Sequence, residues 1–206
     1  MNNEQHFLHT IRKTINGRHI VFIGSHGTGK TTLATRLGES IYIPAHDSVS
    51  RTTYGALKSI DSLVCKSKED ILDGIKQSIV CTMAIWDFKR LMNHEVIISR
   101  SPLDTLAYTR TNRDTIAPDI YQSIEEKFHD PELLSLFKSC VFIYTPIEFP
   151  IEDDGVRPTD IEYQKKVDAE MKKIIDEYEL CCITVTGTVE ERLMEIYAEL
   201  DKLFLL

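Results

Sequence analysis

The sequence predicts a three-layer α/β/α domain built on a five-stranded parallel sheet with a lid loop. Three observations carry that expectation. Short apolar runs of strand length alternate with longer segments of helical period along the chain. The first of those runs opens directly into a glycine-rich turn and then a helix. The length, 206 residues, suits one domain with a real core, and 42% hydrophobic with 27% charged residues is ordinary globular composition. A single domain over residues 1–206 is expected, and the counts exclude a disordered chain, a collagen-like repeat and a disulfide-stapled miniprotein.

Taken in order, residues 5–15 carry helical spacing (Phe7, Leu8, Ile11, Ile15) that ends near Gly17. Residues 19–23 read as a buried strand that runs into the turn 24–32, and Leu33 and Leu37 mark the inner face of the helix that follows. A second strand is expected at Ile41, Tyr42 and Ile43. Residues 69–92 form a long helix with Ile71, Ile75, Ile79, Met83, Trp86 and Leu91 near one face. The third strand is 96–98. Ser101 then caps a helix that has Pro102 at its first position. Residues 117–139 are helical in two pieces broken at Pro131, and 141–144 is the fourth strand. A loop rich in Pro, Asp and Gly covers 146–158, followed by a helix over 160–179 with Val167, Met171, Ile174 and Tyr178 inward. The fifth strand is 182–185 and a helix over 188–204 closes the domain. Right-handed crossovers place a ligand at the carboxyl ends of the strands.

The net charge of −8 is uneven. Residues 1–147 hold 17 basic and 16 acidic side chains, whereas 148–206 hold 7 and 16. The acidic C-terminal part argues against a broad nucleic-acid footprint, while leaving room for a locally basic cleft. The five cysteines are odd in number and form no C-x-x-C, so a reducing, cytoplasmic setting without metal or disulfide is expected. No apolar run reaches the length of a membrane span, and no signal-peptide pattern opens the chain.

One motif is specific. Gly24-x-x-x-x-Gly29-Lys30-Thr31 matches the P-loop pattern at every fixed position, with a strand before and a helix after. Gly24, Gly27 and Gly29 let the backbone wrap so that its N–H groups face an anion, and the helix N-terminus adds partial positive charge. The expected nucleotide contacts are therefore Gly24, Ser25, His26, Gly27, Thr28, Gly29, Lys30, Thr31 and Thr32. Lys30 would reach the β- and γ-phosphates of ATP, and the Thr31 hydroxyl would ligate Mg2+.

Four further segments bear on what happens to the phosphate. Asp47, past the second strand, is a candidate to take the proton of an attacking hydroxyl, with Arg51 as a charge partner for substrate. Arg100 follows a buried strand beside a helix N-terminus and is placed to grip an anion. Asp104 is either a substrate contact or half of a Ser101-x-x-Asp104 capping box. The loop 146–160 suits a lid, from which Arg157 would reach the phosphates. The turn at 185–192 packs against a nucleotide base through backbone alone, with Thr188 and Glu191 as an ordinary helix cap. Arg110 and Arg113 add positive charge on the acceptor side, and Trp86 and Phe88 offer an aromatic wall or, more ordinarily, core.

Taken together, G-x-x-G-x-G-K-T-T, the stretch Arg100-Ser101-x-x-Asp104-x-x-Ala107-Tyr108 and the segment Asp154-Gly155-x-Arg157-x-Thr159-Asp160 resemble a known group over about residues 18–204. The group is the small P-loop ATP-binding proteins related to nucleoside and nucleotide kinases, including the ribosylnicotinamide-kinase-like AAA-type domains of bacteria and phages. The resemblance implies Mg2+-dependent transfer of the γ-phosphoryl group of ATP to a small acceptor. It puts Lys30 and Thr31 on phosphate and metal, Asp47 near the acceptor, Arg100 on it and Arg157 in the lid. The chain departs from the group at Ser99, where Asp or Glu is usual before the Arg, so either Asp47 or Asp104 supplies the missing charge or transfer is weakened. Ala45 and His46 also look inserted before Asp47.

A kinase of a nucleoside, nucleotide or similar small molecule is the first reading. A nucleotide-dependent switch that hydrolyses ATP or GTP is the alternative, and a kinase of a nucleic-acid hydroxyl is a third that the charge of −8 disfavours. The acceptor, the choice between ATP and GTP, and assembly as a monomer or homodimer are all open at this stage.

Overall fold

The computed structural model describes residues 18–58, 69–148 and 160–204. The expected helix at 5–15, Cys65, and Arg157 with most of the lid lie outside the described residues. The five strands are β1 (His19–Ile23), β2 (Ala45–His46), β3 (Ile97–Ile98), β4 (Cys140–Tyr144) and β5 (Cys182–Thr184). They form one parallel sheet in the order β2-β3-β1-β4-β5. Its helices are α1 (Lys30–Ile41), α2 (Ser50–Lys58), α3 (Glu69–Leu91), α4 (Pro102–Thr111), α5 (Pro118–Phe128), α6 (Pro131–Lys138), α7 (Ile161–Glu177) and α8 (Val189–Phe204).

The strand sequences are apolar on both faces because helices cover both. Val21, Ile23, Phe142 and Tyr144 face a core made with Phe88 of α3, Leu103 and Leu106 of α4, Phe128 of α5, Phe137 of α6 and Met171 of α7. Ile20, Phe22, Val141 and Ile143 face a second core with Leu33 and Leu37 of α1 and with Ile196 and Leu200 of α8. Alternate residues of β1 and β4 thus serve opposite layers, which is the pleat expressed as packing. The long register between β1 and β4, from His19 opposite Cys140 to Ile23 opposite Tyr144, sets the carboxyl ends of both strands at one level.

Two expectations are corrected. Ile41 and Ile43 are buried, but not as a strand. Ile41 ends α1, Tyr42 takes a left-handed conformation (φ 59°), and the Ile43 N–H closes on the Gly38 carbonyl at 3.0 Å. Pairing with β3 starts only at Pro44, whose carbonyl accepts from the Ile97 N–H. Ala45 and His46 form the strand, and Asp47 directly follows it. The second correction concerns α3. Its core contacts come from Val80, Cys81, Ala84, Phe88 and Leu91, while Ile75, Ile79, Met83 and Trp86 lie on the outer face. The expected stripe is thus divided: Leu91 turns to the core, whereas Ile75, Ile79, Met83 and Trp86 are exposed.

Candidate functional site

Residues 24–29 turn the chain from β1 into α1 on three left-handed glycines, with φ of 142° at Gly24, 74° at Gly27 and 86° at Gly29. At Gly24 the constraint is also steric, since a Cβ would stand 2.6 Å from the Thr145 carbonyl oxygen. β1 and the residue after β4 approach that closely only because no side chain intervenes. The Thr28 hydroxyl donates to the Ser25 carbonyl at 3.0 Å and lies 2.7 Å from the Thr145 hydroxyl, which closes the loop on itself.

The loop presents backbone rather than side chains. Of the expected nucleotide contacts Ser25, His26 and Thr28 are buried, while Gly27, Gly29, Thr31 and Thr32 are exposed. The Ser25 hydroxyl is buried without a hydrogen-bond partner among the described residues. No side chain caps α1, and the first-turn N–H groups lie ahead of the i→i−4 ladder. Lys30 is buried and its ammonium donates to the Gly24 carbonyl at 2.6 Å and the Ser25 carbonyl at 2.5 Å. Glycine-rich backbone, uncapped N–H groups and one ammonium form a donor set that fits a polyphosphate.

Asp104 meets this loop directly, whereas Asp47 lies at the carboxyl end of β2 against the residues that follow β3. The Ser99 hydroxyl donates to Asp47 Oδ1 at 2.8 Å, the Ser48 N–H to the same oxygen at 3.0 Å, and Arg100 Nε stands 3.5 Å away as an ion pair. The Asp47 side chain keeps 41% of its surface exposed. Ser99, directly after β3, thus hydrogen-bonds the carboxylate directly after β2. Asp104 is buried. It accepts from the Ser101 N–H at 2.8 Å while Ser101 Oγ accepts from the Leu103 N–H at 3.0 Å, so the expected capping box is formed. It also accepts from the Gly24 N–H at 3.3 Å and lies 3.7 Å from the Lys30 ammonium. Burial pushes its carboxyl above the usual range, against the pull of Lys30, the Ser101 N–H, Arg100 and the Gly24 N–H.

Four expected contributors have other partners, and the side chain of a fifth is not described. Arg110 is clamped by Glu125, with two contacts at 2.9 Å, and by Glu177. Arg113 stacks over Tyr121 at 5.1 Å. Phe88 is core against Phe137, and Trp86 is exposed under Arg90. Arg51 lies in α2 with its side chain outside the described residues.

Side chains that the motifs did not indicate meet the loop from the far end of the sequence. Gln164 of α7 donates to the His26 carbonyl at 2.7 Å. Arg192 of α8 donates to the Thr28 carbonyl at 2.8 Å and pairs with Glu148, which also accepts from the Gly187 N–H at 2.9 Å. Thr188 and Glu191 form the expected cap, and Arg192, in the first turn of α8, adds a side-chain contact to the loop. Tyr108 lies 2.9 Å from His26 Nδ1, and Tyr163, whose hydroxyl accepts from Asn112 at 2.8 Å, completes an aromatic group beside the loop. Tyr108 belongs to the stretch 100–108 that carries the resemblance, whereas Gln164 and Tyr163 stand in no motif of the sequence.

Similar folds are known. A structure of deoxyadenosine kinase from M. mycoides, with products dCMP and a flexible dCDP bound, superposes with a TM-score of 0.68 at 13% identity, over 89% of this chain and 99% of that one. A structure of NadR protein in complex with NR gives 0.64 at 15% identity, over 100% of this chain. A structure of NadR with NAD and AMP-PNP gives 0.60 at 16%. This chain spans 56% of NadR in the first of those two comparisons and 53% in the second. No curated protein sequence matches the chain. The family model described as an AAA domain matches residues 19–192, from the first strand through the arginine that braces the phosphate loop, and the chain belongs to that family of P-loop proteins.

Proposed function

We propose that the protein is an ATP-dependent phosphotransferase that moves the γ-phosphoryl group to a nucleoside, nucleotide or similar small acceptor. The observation that carries this is the placing of two polar groups at the carboxyl ends of β1, β2 and β3, Lys30 with Asp104 and Asp47 with Ser99 and Arg100. Phosphoryl transfer asks mainly for positioning and charge neutralisation, and that grouping offers both. The kinase neighbours share the fold, which supports the same chemistry here.

The Lys30 ammonium, now shared between two loop carbonyls, would turn to the β- and γ-oxygens. Asp47 keeps its second carboxylate oxygen clear of the Ser99 and Ser48 bonds, both of which land on Oδ1, so Oδ2 would accept the acceptor's hydroxyl proton. Arg100 would bind the acceptor, with Arg51 beside it, and Arg157 would bring positive charge from the lid. Thr31, with Asp47 or Asp104, would hold Mg2+, which when bound neutralises charge on the phosphate oxygens. Asp104 serves first as the buried counter-charge of Lys30 and the cap of α4.

The test is ATP consumption with and without a panel of nucleosides, nucleotides and vitamin-like ribosides. One acceptor class should raise turnover well above the background hydrolysis, and Lys30→Ala should abolish transfer while the circular dichroism spectrum is retained. Tight nucleotide binding with slow turnover that no acceptor changes would replace the kinase by a nucleotide-dependent switch.

A further inference from the structure

Gln164 and Arg192 meet the loop in the same way. Each is almost fully buried, at 1% and 3% exposure, and each donates to a main-chain carbonyl of the loop rather than to a side chain. The carbonyls belong to His26 and Thr28. The residues that follow them are Gly27 and Gly29, both exposed and both left-handed. A trans peptide holds its C=O and the next N–H on opposite sides of one rigid plane. Fixing the His26 carbonyl toward α7 therefore fixes the Gly27 N–H away from α7. Fixing the Thr28 carbonyl toward α8 does the same for the Gly29 N–H. Glycine is the residue least able to hold such a plane by itself, because both hands of φ are open to it.

The chemistry of the two donors agrees. A carbonyl only accepts, so the Gln164 amide must turn its nitrogen to His26, and its own oxygen is left without a hydrogen-bond partner among the described residues. Arg192 uses one nitrogen for Thr28 and another for Glu148, so a planar fork spans the loop and the segment after β4.

We propose that Gln164 and Arg192 are positioning residues of the phosphate cradle, locking the peptide planes 26–27 and 28–29 so that the Gly27 and Gly29 N–H groups face the anion. The proposal rests on the reading of this loop as a phosphate site, and it assigns the cradle's rigidity to two helices from the C-terminal part of the chain.

The experiment is an amide NMR titration of the 15N-labelled full chain with inorganic tripolyphosphate, without metal. In the unchanged protein the Gly27 and Gly29 signals should both move. In Gln164→Met the Gly27 response should be lost with the Gly29 response kept, and in Arg192→Met the reverse. Each change should raise the tripolyphosphate Kd roughly tenfold, the worth of one charge-assisted hydrogen bond. Arg192→Lys, which can still donate to Thr28, should keep the Gly29 response, and Arg192→Leu, with the same expected loss, replaces Arg192→Met if that variant does not give a folded spectrum. Unchanged responses in both variants, or equal loss of both signals in each, would overturn the proposal and leave the kinase reading standing. An unchanged protein whose loop glycines ignore tripolyphosphate would overturn both.

Discussion

Asp47 and Asp104 follow the neighbouring strands β2 and β3, and their surroundings divide them. Asp104 is enclosed, answers two backbone N–H groups and faces an ammonium, so its removal disturbs both a helix start and the Lys30 position. Asp104→Asn should lower stability by about 1–2 kcal/mol, the range of a lost cap, as measured by urea unfolding. Asp47 is half exposed and takes its bonds on one oxygen, so Asp47→Asn should reduce turnover strongly with little change in ATP affinity, as read by kinetics and calorimetry. Loss of turnover from Asp104→Asn with full activity in Asp47→Asn would transfer the base role to Asp104. The pattern Gly24 to Thr31 was legible in the sequence because its chemistry is local: contiguous residues, each with one conformational or charge requirement. Gln164 and Arg192 were not legible, because their partners lie 138 and 164 residues away and a carbonyl leaves no trace in residue type.

At the scale of elements, the sheet could be read from apolar runs, and the helices from period and caps such as Ser101 with Pro102. The error at residues 41–43 came from reading burial as extension. Two isoleucines on either side of a left-handed Tyr42 are buried because α1 and the turn after it pack on the sheet. The outer stripe of α3 shows the converse: period identifies a face and does not say which way it looks. The clamp of Arg110 ties α4 to α5 and α7, since Glu125 and Glu177 lie on those helices. Burial acts to raise the Glu125 carboxyl, but the hydrogen bonds from Arg110 and Tyr121 outweigh it and hold the group below the usual range. A lowered folded-state pKa means that stabilisation is present above the ordinary glutamate range and is lost as pH falls through the folded value. Glu125→Gln should therefore cost about 1–3 kcal/mol near neutral pH, and the difference from the unchanged protein should vanish in strongly acidic buffer. A difference that persists undiminished at low pH would mean that Glu125 acts by packing alone.

Across the whole molecule, the two cores meet at β1, and the loop that leaves β1 is braced by α4, α7 and α8 together. Anything that binds this loop is linked to global unfolding. ATP at about a hundred times its Kd should add about 2.7 kcal/mol of apparent stability, seen as a higher melting temperature that Lys30→Ala removes. An unaltered melting curve at millimolar ATP and magnesium would count against nucleotide binding. No described helix is long and apolar enough to cross a membrane, so the apolar stripe of α3 is not part of such a span. That stripe bears on how the melting should be observed. The chain has one tryptophan, and Trp86 is 58% exposed. Its indole already emits from water in the native state, so intrinsic fluorescence will barely register the transition. An environment-sensitive dye will find Ile75, Ile79 and Met83 before any heating, which leaves far-ultraviolet dichroism as the faithful signal.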